Sequence, residues 1–386
     1  LSRDAAIVGL GLFAANGLLF ALSGAIQPEA LLILVTTTAG IAIVRWRNTG
    51  DPRDLFIASL WVAAAILVKA PAAHLGLLIA WFALQKYGLK AAVTPSVLAG
   101  AALALAPAVL WYAWAHHLYS QTGLSLGLSN ETHFLSAVML RHPADWLANL
   151  ASLERREVFG YAGLIPAAVA VFSRRCWRNG LAPWYASVMI FYVATADTSA
   201  DNWAYYYHAL SIVPASLLMA DGLESIAGFA KRLPGPWSSA AARNLLVLGF
   251  AVLIAALSMR HGMQIISAAY HQPRLTRMYR ELRTLAPRVP RTDRIIVRGG
   301  TRQDPHGHPV AYNESMAFLW MDRKGFNYAQ EDFTLPVLLG LRDRGARYWI
   351  AQPEDREDSA TFAAARSVMT PVDTTGTFQL FAFRTP

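Results

Sequence analysis

Residues 197–214 read DTSADNWAYYYHALSIVP, a short polar and aromatic stretch set between two long apolar runs. Asp197, Asp201 and Asn202 come first, then Trp203, Tyr205, Tyr206 and Tyr207, then His208 and the next apolar run. Polar groups packed against aromatic rings at the end of a membrane-length run admit two readings. One is an interfacial belt of Trp and Tyr with a solvated loop beside it. The other is the rim of a site that holds a polar headgroup carried on a lipid. Both readings place the stretch at the surface of a bilayer.

The whole composition agrees with a bilayer. Of 386 residues 55% are hydrophobic and only 15% charged, more apolar surface than one soluble core could bury. The net charge of +9 invites a nucleic-acid reading, but Lys and Arg gather at the ends of apolar runs, which is a topology signal. Cys176, the one cysteine, sits beside Arg174, Arg175 and Arg178 and has no partner for a disulfide within the chain. Leu1-Ser2-Arg3-Asp4 leads straight into an apolar run without a small-residue cleavage site. That run is expected to be a span, and the natural N-terminus is expected upstream.

Spans are expected at 5–23, 30–44, 55–68, 71–84, 92–115, 158–173, 183–196, 205–220 and 244–259, about nine crossings, several of them short of the ~20 residues that cross comfortably. Threaded alternately, they put Arg3, Arg45, Arg47, Arg53, Lys86, Lys90, Arg174, Arg175, Arg178, Lys231, Arg232 and Arg243 on one side. The opposite short connections hold only Lys69, and the loop 116–156 adds Arg141, Arg155 and Arg156. The basic side is therefore expected to be cytoplasmic. Glu29, Lys69, the loop 116–156, Asp197–Ala204 and everything after Arg260 are then expected on the outer face. Within 116–156, Phe134, Leu135, Val138 and Met139, and again Trp146, Leu147, Leu150 and Leu153, recur at helical spacing. Two amphipathic helices are expected there, forming either a lipid-facing shelf or a small packed lid.

Glu29 follows Pro28 at a span start, where it either compensates the helix dipole or stands at a cavity mouth. Lys69 precedes Ala70-Pro71; it either snorkels to the interface or presents an ammonium to a phosphate. His116, His117, His133 and His142 share one loop but fit no metal-ligand spacing, and Asp304, His306 and His308 sit among Pro and Gly as in a surface turn. No metal site is assigned.

After residue 262 the composition changes, dividing a membrane domain (1–262) from a soluble one (263–386). Leu275, Met278, Tyr279, Leu282 and Leu285 mark an amphipathic helix. Strands are expected at 294–298, 316–320, 347–351 and 378–383, and helices at 335–344 and 359–368, a small α/β domain. Arg298-Gly299-Gly300 lacks the spacing of a phosphate loop, so no nucleotide role follows; a lid or acceptor-docking module is the expectation.

Several of these residues also carry a family resemblance. Pro28-Glu29 opens a span, and Ala65-Ile66-Leu67-Val68-Lys69-Ala70-Pro71 follows. Asn202 with the tyrosines and Pro214 comes next, and Asp322-Arg323-Lys324-Gly325 lies in the soluble part. In this order, over nearly the whole chain, they resemble the bacterial members of the dolichyl-phosphate-mannose–protein mannosyltransferase family (glycosyltransferase family 39), close to the lipid A aminoarabinose transferases. The resemblance implies a polytopic α-helical membrane protein with a GT-C-like bundle and a small C-terminal α/β domain outside the cytoplasm, in a bacterial inner membrane. It implies an inverting glycosyltransferase that moves a sugar from a polyprenyl phosphate to a protein, lipid A or glycan acceptor. The family's principal catalytic carboxylate would lie before Leu1. Glu29 resembles the second acidic position and stands as the catalytic candidate; a divalent cation beside it is left open. Lys69 matches the lysine before the proline, while Asp201, Asn202, Tyr206 and His208 match the polar-aromatic motif loosely, because three tyrosines run together here. These five are the substrate-binding candidates. The rival expectations are a transporter or flippase of a lipid-linked substrate, and a non-catalytic membrane scaffold. Transporters concentrate ionisable groups near mid-bilayer, whereas here they crowd one face.

Overall fold

The computed structural model describes residues 1–24, 27–122, 135–235, 239–270, 272–301, 315–352, 355 and 359–384. By internal contacts these divide into two compact units, residues 1–267 and 268–384, and the division falls inside one long helix.

The first unit is helical. Its elements are α1 (Arg3–Ala14), α2 (Gly17–Leu22), α3 (Glu29–Thr49), α4 (Pro52–Val68), α5 (His74–Tyr87), α6 (Pro95–Thr122), α7 (Ala137–Arg141), α8 (Pro143–Leu153), α9 (Leu164–Val171), α10 (Arg174–Arg178), α11 (Leu181–Ala194), α12 (Ala196–Ser199), α13 (Ala209–Ala230) and α14 (Ala240–Tyr270). Among the described residues four helices are long and apolar enough to cross a membrane: 29–49, 95–118, 204–230 and 240–268. The other expected crossings are shorter or broken. The first run splits because Asn16 leaves helical geometry to cap α2, accepting from the Leu19 amide at 3.0 Å, while its own amide donates to the carbonyls of Glu157 and Val158 at 3.2 Å. The run from 158 gives Val158 to a π-helical segment, Glu154–Val158, and residues 159–163 to turns, and keeps only the eight residues of α9 as α-helix.

The turn between α3 and α4 positions the site. Gly50 closes α3 in the left-handed region (φ 69°), and its amide donates to the Trp46 carbonyl at 2.7 Å. Asp51 then caps α4, accepting from the Arg53 amide at 2.8 Å, and Pro52 occupies the first helical position. So tight a turn makes α3 and α4 antiparallel neighbours. Leu32, Val35, Ala39, Ile43 and Trp46 of one pack with Leu55, Ala58, Val62 and Ile66 of the other. A second core joins Leu12, Phe159 and Ala167 to Ile212, Ala215, Leu218 and Met219 of α13. Helices α9 and α13 approach so closely that a Cβ at Gly222 would stand 1.7 Å from the Pro166 carbonyl oxygen. The apolar window of α13 is 72% buried and that of α14 only 6%, so α13 is central to the bundle while α14 shows Leu245, Leu248 and Val252 outward.

The second unit holds α15 (Pro273–Leu285), β1 (Arg294–Arg298), α16 (Ser315–Met321), β2 (Gly325–Tyr328), α17 (Leu335–Asp343), β3 (Ala346–Ala351), α18 (Ser359–Val368), β4 (Met369–Thr374) and β5 (Gln379–Phe383). The sheet order is β2-β1-β3-β5-β4; β1 runs parallel to β2 and β3, and β5 is antiparallel to β3 and β4. Alternation along β1 sends Ile295 and Val297 towards α15 and α16, and Ile296 towards α17 and α18. The strand expected at 316–320 is instead the helix α16: its five apolar residues carry no period-2 alternation, and Ala317 and Met321, four apart, are the ones that bury. Strands β2 and β4 were not expected. The Asp322–Gly325 motif has a structural part here: the Arg323 guanidinium donates to the carbonyls of Ala286 (2.7 Å), Val289 (2.8 Å) and Met321 (3.0 Å), tying α15 and α16 to the start of β2.

Candidate active site around Lys69

With the α3–α4 turn at one end of the hairpin, the start of α3 and the end of α4 meet at the other. Glu29 is the first residue of α3, and Lys69 the extended residue that stops α4. Lys69 Nζ lies 2.5 Å from Glu29 Oε1. It also stands over two rings, 4.6 Å from the centroid of Tyr206 and 4.2 Å from that of Tyr207. The ammonium is therefore caged by one carboxylate and two aromatic faces, which attract a cation through their quadrupoles. A snorkelling lysine turns its head to water; this one turns inward, its side chain 19% exposed against 3% for Glu29. Glu29 Oε2 is buried with no hydrogen-bond partner among the described residues. An unsatisfied carboxylate oxygen beside a caged ammonium is costly for stability alone.

The 3₁₀ segment Asn202–His208 carries both tyrosines and is pinned from behind. His208, wholly buried, points away from Lys69: Nδ1 meets Glu154 Oε1 at 2.6 Å and Nε2 meets the Ser199 carbonyl at 3.0 Å. Glu154 also accepts from Tyr185 Oη at 2.7 Å and stands 2.8 Å from Ser211 Oγ. Glu154 and both imidazole nitrogens are thus engaged on every side by hydrogen-bonding partners. Tyr192 Oη donates to the Tyr207 carbonyl at 2.7 Å, and its ring meets that of His208 at a 50° tilt, centroids 4.8 Å apart. His208 thus holds the tyrosine segment in place and does not join the cage.

Of the other candidates, Asp201 and Asn202 are exposed, and Asn202 Oδ1 lies 3.5 Å from Arg156 Nη2. Arg156 is itself held by Glu157 Oε1 at 2.8 Å, whose other oxygen meets His261 Nε2 at 2.9 Å. The structure therefore brings Glu29, Lys69 and Tyr206 together with Tyr207, and leaves Asp201, Asn202 and His208 outside that contact set. Glu154, Glu157, Tyr185 and His261 were not singled out from the sequence. The signal for the first two was the run Glu154-Arg155-Arg156-Glu157, two carboxylates beside an apolar stretch, in a π-helical turn of the kind that recurs at functional sites.

Beside Glu154 opens a cavity of about 540 Å³, lined by Leu147, Leu150 and Ala151 of α8, by Phe159 and Leu164, and by Tyr185, Met189 and Val193 of α11. Helix α8 is amphipathic as expected, with Trp146, Leu150 and Leu153 buried and Leu147 exposed. Among the described residues no three His, Cys, Asp or Glu side chains converge as a metal would require. His133, Asp304, His306 and His308 lie outside the described residues.

No family model and no curated protein matches the chain. Among solved structures, ArnT from Cupriavidus metallidurans in the apo state is similar, with TM-score 0.47 and 14% identity over 98% of this chain and 82% of that one. The same protein bound to undecaprenyl phosphate gives TM-score 0.44 and 12% identity over 98% and 83%.

Proposed function

We propose that this chain is a membrane glycosyltransferase that uses a polyprenyl-phosphate sugar at the outer face of the bilayer, with Lys69 as the phosphate ligand. The carrying observation is the Glu29–Lys69–Tyr206–Tyr207 cage. The Lys69 ammonium is paired with Glu29. A phosphodiester entering beside it competes for Lys69 and frees the Glu29 carboxylate next to the sugar.

The chemistry rewards that arrangement. The acceptor hydroxyl attacks the anomeric carbon as the bond to the phosphate oxygen breaks, with inversion, and the electron pair leaves on the phosphate. The diester carries about one negative charge and the released monoester close to two. The charge facing Lys69 therefore grows along the reaction, and the ammonium stabilises the transition state more than the ground state. Glu29 Oε2, buried and unpartnered, orients the acceptor hydroxyl and takes its proton. The tyrosine faces suit a sugar ring. The apolar cavity under α8 suits part of an isoprenoid tail, since its lining offers few polar groups.

Binding of polyprenyl phosphate to the full chain in detergent tests the assignment. Lys69→Ala removes a charge-assisted contact worth about 1.5–3 kcal/mol, so affinity should fall roughly ten- to hundred-fold. Unchanged affinity would remove Lys69 from the site and the reading with it.

A further inference from the structure

We propose that the outward side of α15 and the neighbouring tip of α16 form a docking surface for the anionic phospholipid headgroups of the bilayer. This surface belongs to the second unit and does not depend on the transferase reading. Helix α15 packs Leu282 and Leu285 into the core and turns Arg277, Arg280 and Arg283 outward. At 3.6 residues per turn the three arginines descend the side opposite the buried leucines. Glu281, the one acid of the helix, reaches Arg277 electrostatically but spends its hydrogen bonds on another element: it accepts from Thr375 Oγ1 at 2.9 Å and from the Thr377 amide at 2.7 Å. The outward side therefore carries cations and no acid of its own.

Apolar and aromatic groups lie beside those cations. Tyr279 is 46% exposed and Leu319 of α16 66% exposed. The Tyr279 ring meets Trp320 edge to face at 5.8 Å, and Arg283 Nη1 lies 3.4 Å from the Trp320 carbonyl. Arginine among Tyr, Trp and Leu is the composition of an interfacial surface, cations for phosphates and rings for the headgroup layer. A solvated basic face would not need exposed Leu319 at its edge.

Chain continuity names the occupant. The apolar window of α14 ends at Ala268 and α15 starts at Pro273, so at most about 18 Å of chain separates the two. A surface tethered so close to a bilayer meets it at high effective concentration, and modest attraction suffices. Each arginine near an anionic surface contributes about five-fold, three together about a hundred-fold, and salt screens the effect.

Hydrogen exchange on the full chain in phosphatidylcholine nanodiscs, with and without phosphatidylglycerol, tests this. Amides of 273–285 and 315–321 should exchange at least about ten-fold more slowly in the anionic discs at low salt. High salt, or the triple variant R277Q/R280Q/R283Q, should abolish the difference while β1 and β3 stay protected. The salt arm stands even if the variant fails to fold. Equal exchange in both discs overturns the proposal, as does protection that salt leaves intact, which would mean apolar docking. Protection already complete in detergent would also overturn it, since the surface would then be covered by protein.

Discussion

Replacing Lys69 by Met separates what the cage does for stability from what it does for a ligand. The substitution keeps most of the side-chain volume and leaves Glu29, 2% exposed, without its counter-charge. Breaking a buried pair costs about 3–5 kcal/mol; with Lys69 at 19% side-chain exposure the lower end applies. Losing the cation over two rings adds about 0.5–1 kcal/mol each. K69M should therefore lose roughly 4 kcal/mol. In Glu29→Gln the ammonium keeps both tyrosine faces and its access to water, and the loss should be about 1–2 kcal/mol. The double variant strands no charge and should come back to within about 1 kcal/mol of the parent. Unfolding of all four proteins in one detergent, compared at one temperature, gives the coupling, expected at 2 kcal/mol or more. Polyprenyl phosphate binding measured on the same four proteins should remain lost in the double variant although its stability returns. Additivity within about 0.5 kcal/mol would refute the cage as an energetic unit. Binding regained by the double variant would show that the ammonium is no phosphate ligand.

Two further predictions concern the supports. His208→Ala leaves Glu154 buried without its strongest partner and should cost about 3 kcal/mol, with faster proteolysis around residues 201–204 as the tyrosine segment loosens; an unchanged cleavage rate would contradict the pinning described above. In the second unit, burial pushes the Glu281 carboxyl up, but the Thr377 amide and Thr375 hydroxyl outweigh it and hold its pKa below the usual glutamate value. A depressed carboxylate contributes stability that is fully present above the ordinary glutamate pKa and is lost as pH falls through the folded value. Acid unfolding of this unit, followed through Trp349, should be shallower in Glu281→Gln.

Much of the architecture was open to a reader of the chain because it follows from local periodicity. The apolar runs that became α3, α6, α13 and α14 announce themselves by composition, and α15 by leucines at helical spacing. Strand β1 is bracketed by turn residues and was placed to the residue. The errors fall where local signal is absent. Strand β2 is four residues opening on a glycine, and β4 carries Pro371, tolerated because it lies at the sheet edge.

Within the site, the type of the groups was legible, since a lone lysine and a lone glutamate at the ends of apolar runs have few structural uses. Their contact was not. Glu29 and Lys69 stand forty positions apart and meet because Gly50 and Asp51 fold α3 back on α4. Glu154 and His208, fifty-four apart, meet because α13 passes behind the π-helical turn. Hydrophobic period and residue type are properties of neighbours along the chain, and they placed the helices and named the polar candidates. Which carboxylate meets which cation depends on how those helices close on one another, and only the packed bundle assigned Glu29 to the cage and His208 to its support.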